Sequence, residues 1–139
     1  MRDKVSGLMR RHMKGQTYVE FAFSAVAFLT LIFLLVNVST ALYAFNFVAY
    51  AAREGTRFAA VHGRSNPSPA GATDITSLID TEAYGLNPRK LKVTTTWSPD
   101  NQPGSTVAVQ VRYTFTFMVP FVALPPVNLT SNSQMMISY

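Results

Sequence analysis

From Phe21 to Ala52 the chain carries no charged residue, a run of 32 positions. Its densest part, Phe21 to Val38, reads FAFSAVAFLTLIFLLVNV and is interrupted only by Ser24, Thr30 and Asn37. About 20 residues of helix, each rising 1.5 Å, cross the hydrocarbon core of a bilayer. A helix satisfies its own backbone hydrogen bonds, as lipid demands, and Leu, Ile, Phe, Val and Ala partition into it. The run predicts one transmembrane helix over about residues 21–42. Tyr43, Phe45, Phe47 and Tyr50 follow, in the manner of an aromatic belt where a helix leaves the bilayer.

The placement of charge sets the orientation. Residues 1–15 hold five bases, Arg2, Lys4, Arg10, Arg11 and Lys14, against the single acid Asp3. The rest of the chain shares seven bases and six acids, so most of the net charge of +5 belongs to this leader. A basic flank ahead of the membrane helix predicts a cytoplasmic N-terminus, a single pass through the cytoplasmic (inner) membrane, and the bulk of the chain outside. Basicity confined to one end is not a nucleic-acid-binding face, and no nucleic-acid partner is expected. Only 14% of residues are charged, against about 25% in an ordinary soluble domain. With no cysteine there is no disulfide framework and no thiolate nucleophile. A cleaved secretory signal is the competing reading, with Ser39-Thr40-Ala41 as its small-residue site. The uncharged run outlasts an ordinary signal core, however, and it opens beside an acid, Glu20.

Glu20 has two readings. A charge costs about 2.5–3.5 kcal/mol at the centre of a membrane helix and less near the interface. Glu20 either rests in the headgroup region, favoured by the helix dipole, or meets a cationic partner inside the membrane. The surrounding string is Lys14-Gly15-Gln16-Thr17-Tyr18-Val19-Glu20-Phe21-Ala22. A basic leader ending in Gly, with Glu five positions later and an apolar helix beyond, resembles the processing motif of type IV prepilins and pseudopilins. More narrowly, Gly15 to Ala22 is similar to the G-Q-x-x-V-E-F-A opening of the TadE-like family of pilus-assembly proteins. About 30 residues on, Ala51-Ala52-Arg53-Glu54-Gly55-Thr56-Arg57-Phe58-Ala59 resembles that family's A-A-R-x-G-A-R-x-A stretch. The likeness covers residues 15–62, and Val26 stands near where many relatives have a proline.

The resemblance implies a minor pilin or pseudopilin of a tight-adherence pilus, cut between Gly15 and Gln16 by a prepilin peptidase. It implies partners among other pilin subunits, the assembly machinery and membrane lipid. Cutting would remove the leader, with Arg10, Arg11 and Lys14, and create an α-amine on Gln16, one helical turn from Glu20. In related pilins that glutamate is thought to pair with the amine of a neighbouring subunit, so Glu20 would set register. Glycine has no side chain to clash with a protease groove and resists helix, which predicts an extended scissile bond at Gly15. The alternative is an uncleaved bitopic protein with an extracytoplasmic binding head.

Helical composition continues to His62, giving a helix over 16–62 of about 70 Å. Val48, Ala51, Ala52, Gly55, Ala59 and His62 recur at spacings of three and four, a small-residue face. It either receives the rest of the chain at close range or offers a surface to another subunit's helix. Residues 63–139 read as a small head. Thr73 or Asp74 caps a helix through Tyr84, with Ile75, Leu78, Ile79 and Ala83 on one side and Gly85 as C-cap. Period-two alternation marks a strand from Lys90 to Trp97 and a clearer one from Thr106 to Phe117. Pro120 to Pro126 reads as an apolar loop, and Leu129 to Tyr139 as a third strand with Met135, Ile137 and Tyr139 on one face. The expected fold class is α+β: a long N-terminal helix covering the apolar face of a three-stranded antiparallel sheet, as in pilins.

Little here suits an enzyme. His12 and His62 are the only histidines, so no metal-binding histidine pair exists. Asp74, Asp80 and Glu82 read as a solvated helix face, and calcium would need more oxygen ligands. No catalytic residue, metal or cofactor is assigned.

Overall fold

The period-two alternation of residues 106–115 becomes the central strand of a sheet. The computed structural model describes the backbone of residues 3–118 and 124–138, and the side chains of residues 15–118 and 124–138. A long helix, α1 (Asp3–Val61), is followed by α2 (Ala72–Glu82), a 3-10 turn (Pro88–Lys90) and three strands. These are β1 (Leu91–Ser98), β2 (Thr106–Phe115) and β3 (Val127–Met136), antiparallel in the order β1-β2-β3. Most of the Pro120–Pro126 loop, and Tyr139, lie outside the described residues.

Two compact units divide at Val38/Ser39, inside α1, and not at the end of the helix. The second unit contains the whole head. Its sheet buries one face: Val107, Val109, Val111, Tyr113 and Phe115 are buried, and the intervening residues are half-buried or exposed. Register keeps that face continuous, with Val93 opposite Val111, Trp97 opposite Val107 and Tyr113 opposite Leu129. Removing each of those β2 side chains from water contributes about 1.5–3 kcal/mol. Ala44, Phe47, Val48, Ala51, Ala52, Ala59 and Ala60 of α1 and Ile75 and Ile79 of α2 complete the core. The molecule is thus a long N-terminal apolar helix packed, through its later turns, on a three-stranded antiparallel sheet.

Several local expectations are corrected. α2 begins after Gly71, and neither Thr73 nor Asp74 is its N-cap. Asp74 serves from inside the first turn, where its Oδ2 accepts a hydrogen bond from the Gly71 N–H at 2.8 Å. A carboxylate reaching back in this way does the same work as a cap, because it satisfies an N–H that the helix leaves unpaired. At the other end Ala83 is the C-cap, donating its N–H to Asp80 O. Gly85 lies in the turn beyond, at φ +73, a conformation that costs a residue with a Cβ. β3 begins at Val127, opposite Phe115, and ends at Met136. Ile137 is buried as its face predicts, whereas Met135 remains 45% exposed. Phe47 is a core residue at 7% exposure, not part of a belt, while Phe45 and Tyr50 are exposed.

Candidate functional site

The first unit, Met1–Val38, holds the residues singled out for processing and assembly. Gly15, Gln16 and Glu20 are all helical and exposed. α1 passes through Gly15 without a break, so the extended backbone expected at the Gly15–Gln16 bond is not found. A lone glycine costs a helix about 1 kcal/mol, which a long run of good helix formers on either side outweighs. A Cβ at Gly15 would meet nothing within 4 Å, so packing does not account for the glycine. Arg10, Arg11 and Lys14 lie on the same helix, with side chains outside the described residues. Among the described residues no side chain forms an ion pair with Glu20.

Beyond Glu20 the helix surface is apolar all round. Phe21, Phe23, Val26, Phe28, Leu29, Leu31, Leu34, Leu35 and Val38 are each more than half exposed. An apolar surface of this extent belongs in contact with lipid or another protein. The polar residues within it turn their hydrogen bonds inward. Thr30 Oγ1 donates to Val26 O at 2.8 Å, and Asn37 Nδ2 donates to Phe33 O at 2.8 Å. Such back-bonding is how Thr and Asn are tolerated in a membrane helix. Gly15–Val61 is long and apolar enough to cross a membrane. The helix also runs straight through Val26, with no proline to interrupt its hydrogen bonds.

In the second unit the small-residue face is occupied. A Cβ built on Gly55 would stand 3.0 Å from Ile79 Cδ1, 3.2 Å from Ile75 Cγ2 and 3.3 Å from Val109 Cγ1. Gly55 therefore admits α2 and β2 to the helix backbone at once, and the face packs within the head. His62 is not part of that face. It stacks on Phe58 with ring centroids 4.2 Å apart, its Nδ1 3.0 Å from Phe58 O. Thr56, a residue the periodicity did not single out, is fully buried. Its Oγ1 lies 2.6 Å from Ala52 O and 3.2 Å from Ser133 O, so it links α1 to β3. Glu54 accepts two hydrogen bonds from Arg57, at 2.7 and 3.1 Å. These hold its carboxyl below the usual carboxylate range, against the opposing effect of partial burial.

The two stretches that stand out, the Gly15–Glu20 opening and the turns around Gly55, fall within one matched segment. Residues 15–57 match the TadE-like protein family. The match bears out the resemblance drawn from Gly15 to Ala22 and, as far as Arg57, that drawn from Ala51 to Ala59, and it covers a little under a third of the chain. No curated protein and no solved structure matches the chain. The TadE-like segment points to tight-adherence pilus assembly, and one long apolar N-terminal helix fits a membrane-anchored, single-pass protein. Among the described residues no group of three His, Asp or Glu side chains is placed to hold a metal ion.

Proposed function

We propose that this chain is a minor pilin or pseudopilin that acts in assembling a tight-adherence pilus. It sits in the inner membrane with its N-terminus in the cytoplasm and its head outside, and a prepilin peptidase cuts it between Gly15 and Gln16. The observation that carries this reading is an exposed glycine and an exposed glutamate, five residues apart, opening the lipid-suited helix of the TadE-like segment. A peptidase groove takes its substrate extended, so the turn at Gly15 must unwind locally, and glycine makes that turn the cheapest to open. Cutting leaves an ammonium group on Gln16. A carboxylate in a water-poor interface is strongly disfavoured unless a cation meets it. The Gln16 amine of a neighbouring subunit supplies that cation and fixes the axial offset between helices, so Glu20 acts as a register residue and Arg10, Arg11 and Lys14 act before the cut.

Two measurements test this. The mass of the mature protein should correspond to a chain starting at Gln16. One retaining Met1 supports the uncleaved bitopic anchor, and a start at Leu42 supports an ordinary secretory signal. Glu20→Ala should insert into the membrane at the wild-type level while pilus production falls. Unchanged pilus numbers in that variant would remove the register role.

A further inference from the structure

Contacts within the second unit fix which end of the sheet lies beside the first turns of its helix segment. Gly55 meets Ile75 and Ile79 of α2, and Tyr43 Oη donates to Tyr84 O at 2.7 Å. The chain of α2 therefore runs back along α1 towards Tyr43. It then turns through Asn87, whose N–H approaches Tyr113 Oη at 3.5 Å, and enters β1 through Pro88–Lys90. β3 agrees in sense. Thr56 meets Ser133 and Ala60 meets Ser138, so β3 advances in the same direction as α1, and its start at Val127 lies towards Tyr43. The start of β1, the end of β2 and the start of β3 thus gather at the Tyr43 end of the head.

That end carries the unpaired cations of the sheet. Lys92 and Arg112 are exposed on the outer face and stand directly opposite one another. Like charges so placed destabilise an antiparallel pair. With Arg89, Lys90, Thr114 and Asn128 they line one groove. Among the described residues no acid forms an ion pair with any of the four cations. Glu82, the acid that precedes the turn, has Tyr50 as its hydrogen-bonding neighbour further along α1. Apolar side chains are exposed at the same end. Met118 lies just beyond β2, Leu124 just before β3, and Val127 opens β3; with Tyr84 and Leu42 all are exposed.

We propose that this end of the head docks on the bilayer surface, its four cations on the phosphates of anionic phospholipid and its apolar side chains at the headgroup boundary. A soluble polyanion would answer the cations and leave Met118, Leu124 and Val127 in water. An apolar protein surface would cover those three and leave four like charges without a counter-charge. A bilayer of anionic lipid answers both. Position along the chain selects it as well. Ser39 to Phe45 follow directly on the apolar run Phe21–Val38, so the same helix that enters lipid holds this end within reach, and docking is intramolecular. The long stems of Lys and Arg let their charged ends reach phosphate from the rim of the sheet. The contact rests on the reading of the chain as a single-pass membrane protein, and on neither cleavage nor pilus assembly.

The test uses the full chain, reconstituted in vesicles of phosphatidylcholine with or without phosphatidylglycerol. It contains no cysteine, so Thr130→Cys places a single fluorophore opposite Arg112 on the outer face. Met136→Cys places one about 20 Å further along β3. With nitroxide on the lipid headgroups, the label at 130 should be quenched when phosphatidylglycerol is present and not in phosphatidylcholine alone. The label at 136 should be quenched in neither. Lys92→Gln/Arg112→Gln should lower the ratio of docked to undocked heads at least about tenfold. Met118→Ser/Val127→Ser should lower it at unchanged charge. Trp97 fluorescence through unfolding confirms that each variant is folded. Equal quenching at the two positions, equal quenching in the two lipids, or full quenching in Lys92→Gln/Arg112→Gln overturns the proposal. So does binding of soluble dextran sulfate that needs Lys92 and Arg112 while the headgroups leave the label at 130 unquenched. Alkaline extraction of the vesicles keeps the two readings apart. Release of the chain removes the membrane anchor and the docking with it, whereas retention with an unquenched label at 130 removes the docking alone.

Discussion

Gly55 offers the sharpest test of how the head is built. Replacing it with alanine favours the helix by about 1 kcal/mol. The new methyl carbon, however, sits 3.0, 3.2 and 3.3 Å from carbons of Ile79, Ile75 and Val109, where carbon atoms prefer about 3.5–4.0 Å. Overpacking of this kind costs about 1–3 kcal/mol, so Gly55→Ala should lose about 1 kcal/mol net. Gly55→Val adds two further methyl groups in the same space and should lose about 3 kcal/mol. The nearest atom, Ile79 Cδ1, is the one that Ile79→Val removes, and that change alone costs about 0.5–1.5 kcal/mol. In the double variant the alanine methyl takes the vacated space, so the two losses should fall short of their sum by about 1 kcal/mol. Trp97, the only tryptophan, lies half-buried on the inner face of β1 and reports unfolding of the detergent-solubilised chain. For a unit of this size 1 kcal/mol moves the thermal midpoint by about 4–8 °C. A higher midpoint for Gly55→Ala, together with strict additivity with Ile79→Val, would refute the close approach of three elements at this glycine.

Two further outcomes follow from the same contacts. Thr56→Val keeps the shape but removes the hydroxyl shared between Ala52 O and Ser133 O. It should cost about 1 kcal/mol and speed amide exchange in β3 more than in β1, read by hydrogen exchange with mass spectrometry. Because Arg57 lowers the folded Glu54 carboxyl, the pair stabilises the head above the unfolded value of about pH 4.3. That contribution is lost as pH falls through the depressed folded value. Glu54→Gln should therefore flatten the acid decline of the unfolding midpoint between about pH 5 and pH 3, by a few tenths of a kcal/mol for so accessible a pair.

The fold was most legible where one signal had one reading. Alternation through β2 assigned every inward residue from Val107 to Phe115, because a slip of one position would expose the whole set. The helix face from Val48 to Ala59 was equally plain, although spacing alone left open whether the head or another subunit covers it. Only the positions of Ile75, Ile79 and Val109 around Gly55 decide that. Phe47 departs from the expected belt because aromatic residues suit both a membrane interface and a core, and it lies four residues before Ala51, on the buried face. β3 was harder to bound because its inward positions include Ser131 and Ser133, so the strand lacks an apolar stripe. Gly15 differs from its expected extended backbone because its preference is local, while helix formation is cooperative over many residues. The outward cations of the sheet are hidden by counting. Seven bases and six acids beyond the leader almost cancel, and a net figure loses the fact that pleat parity puts Lys92 and Arg112 side by side on the outer face.

The stitching of β3 to α1 bears on how such a protein matures. Ser133 O meets Thr56, and the Ser138 N–H donates to Ala60 O at 3.0 Å. The chain emerges from the ribosome starting from the helix. Until residues 127–138 have been delivered, Thr56 and Ala60 lack those β3-side partners. A chain released before residue 127 would thus leave this side of α1 without its closing strand, a partly folded head with apolar surface exposed.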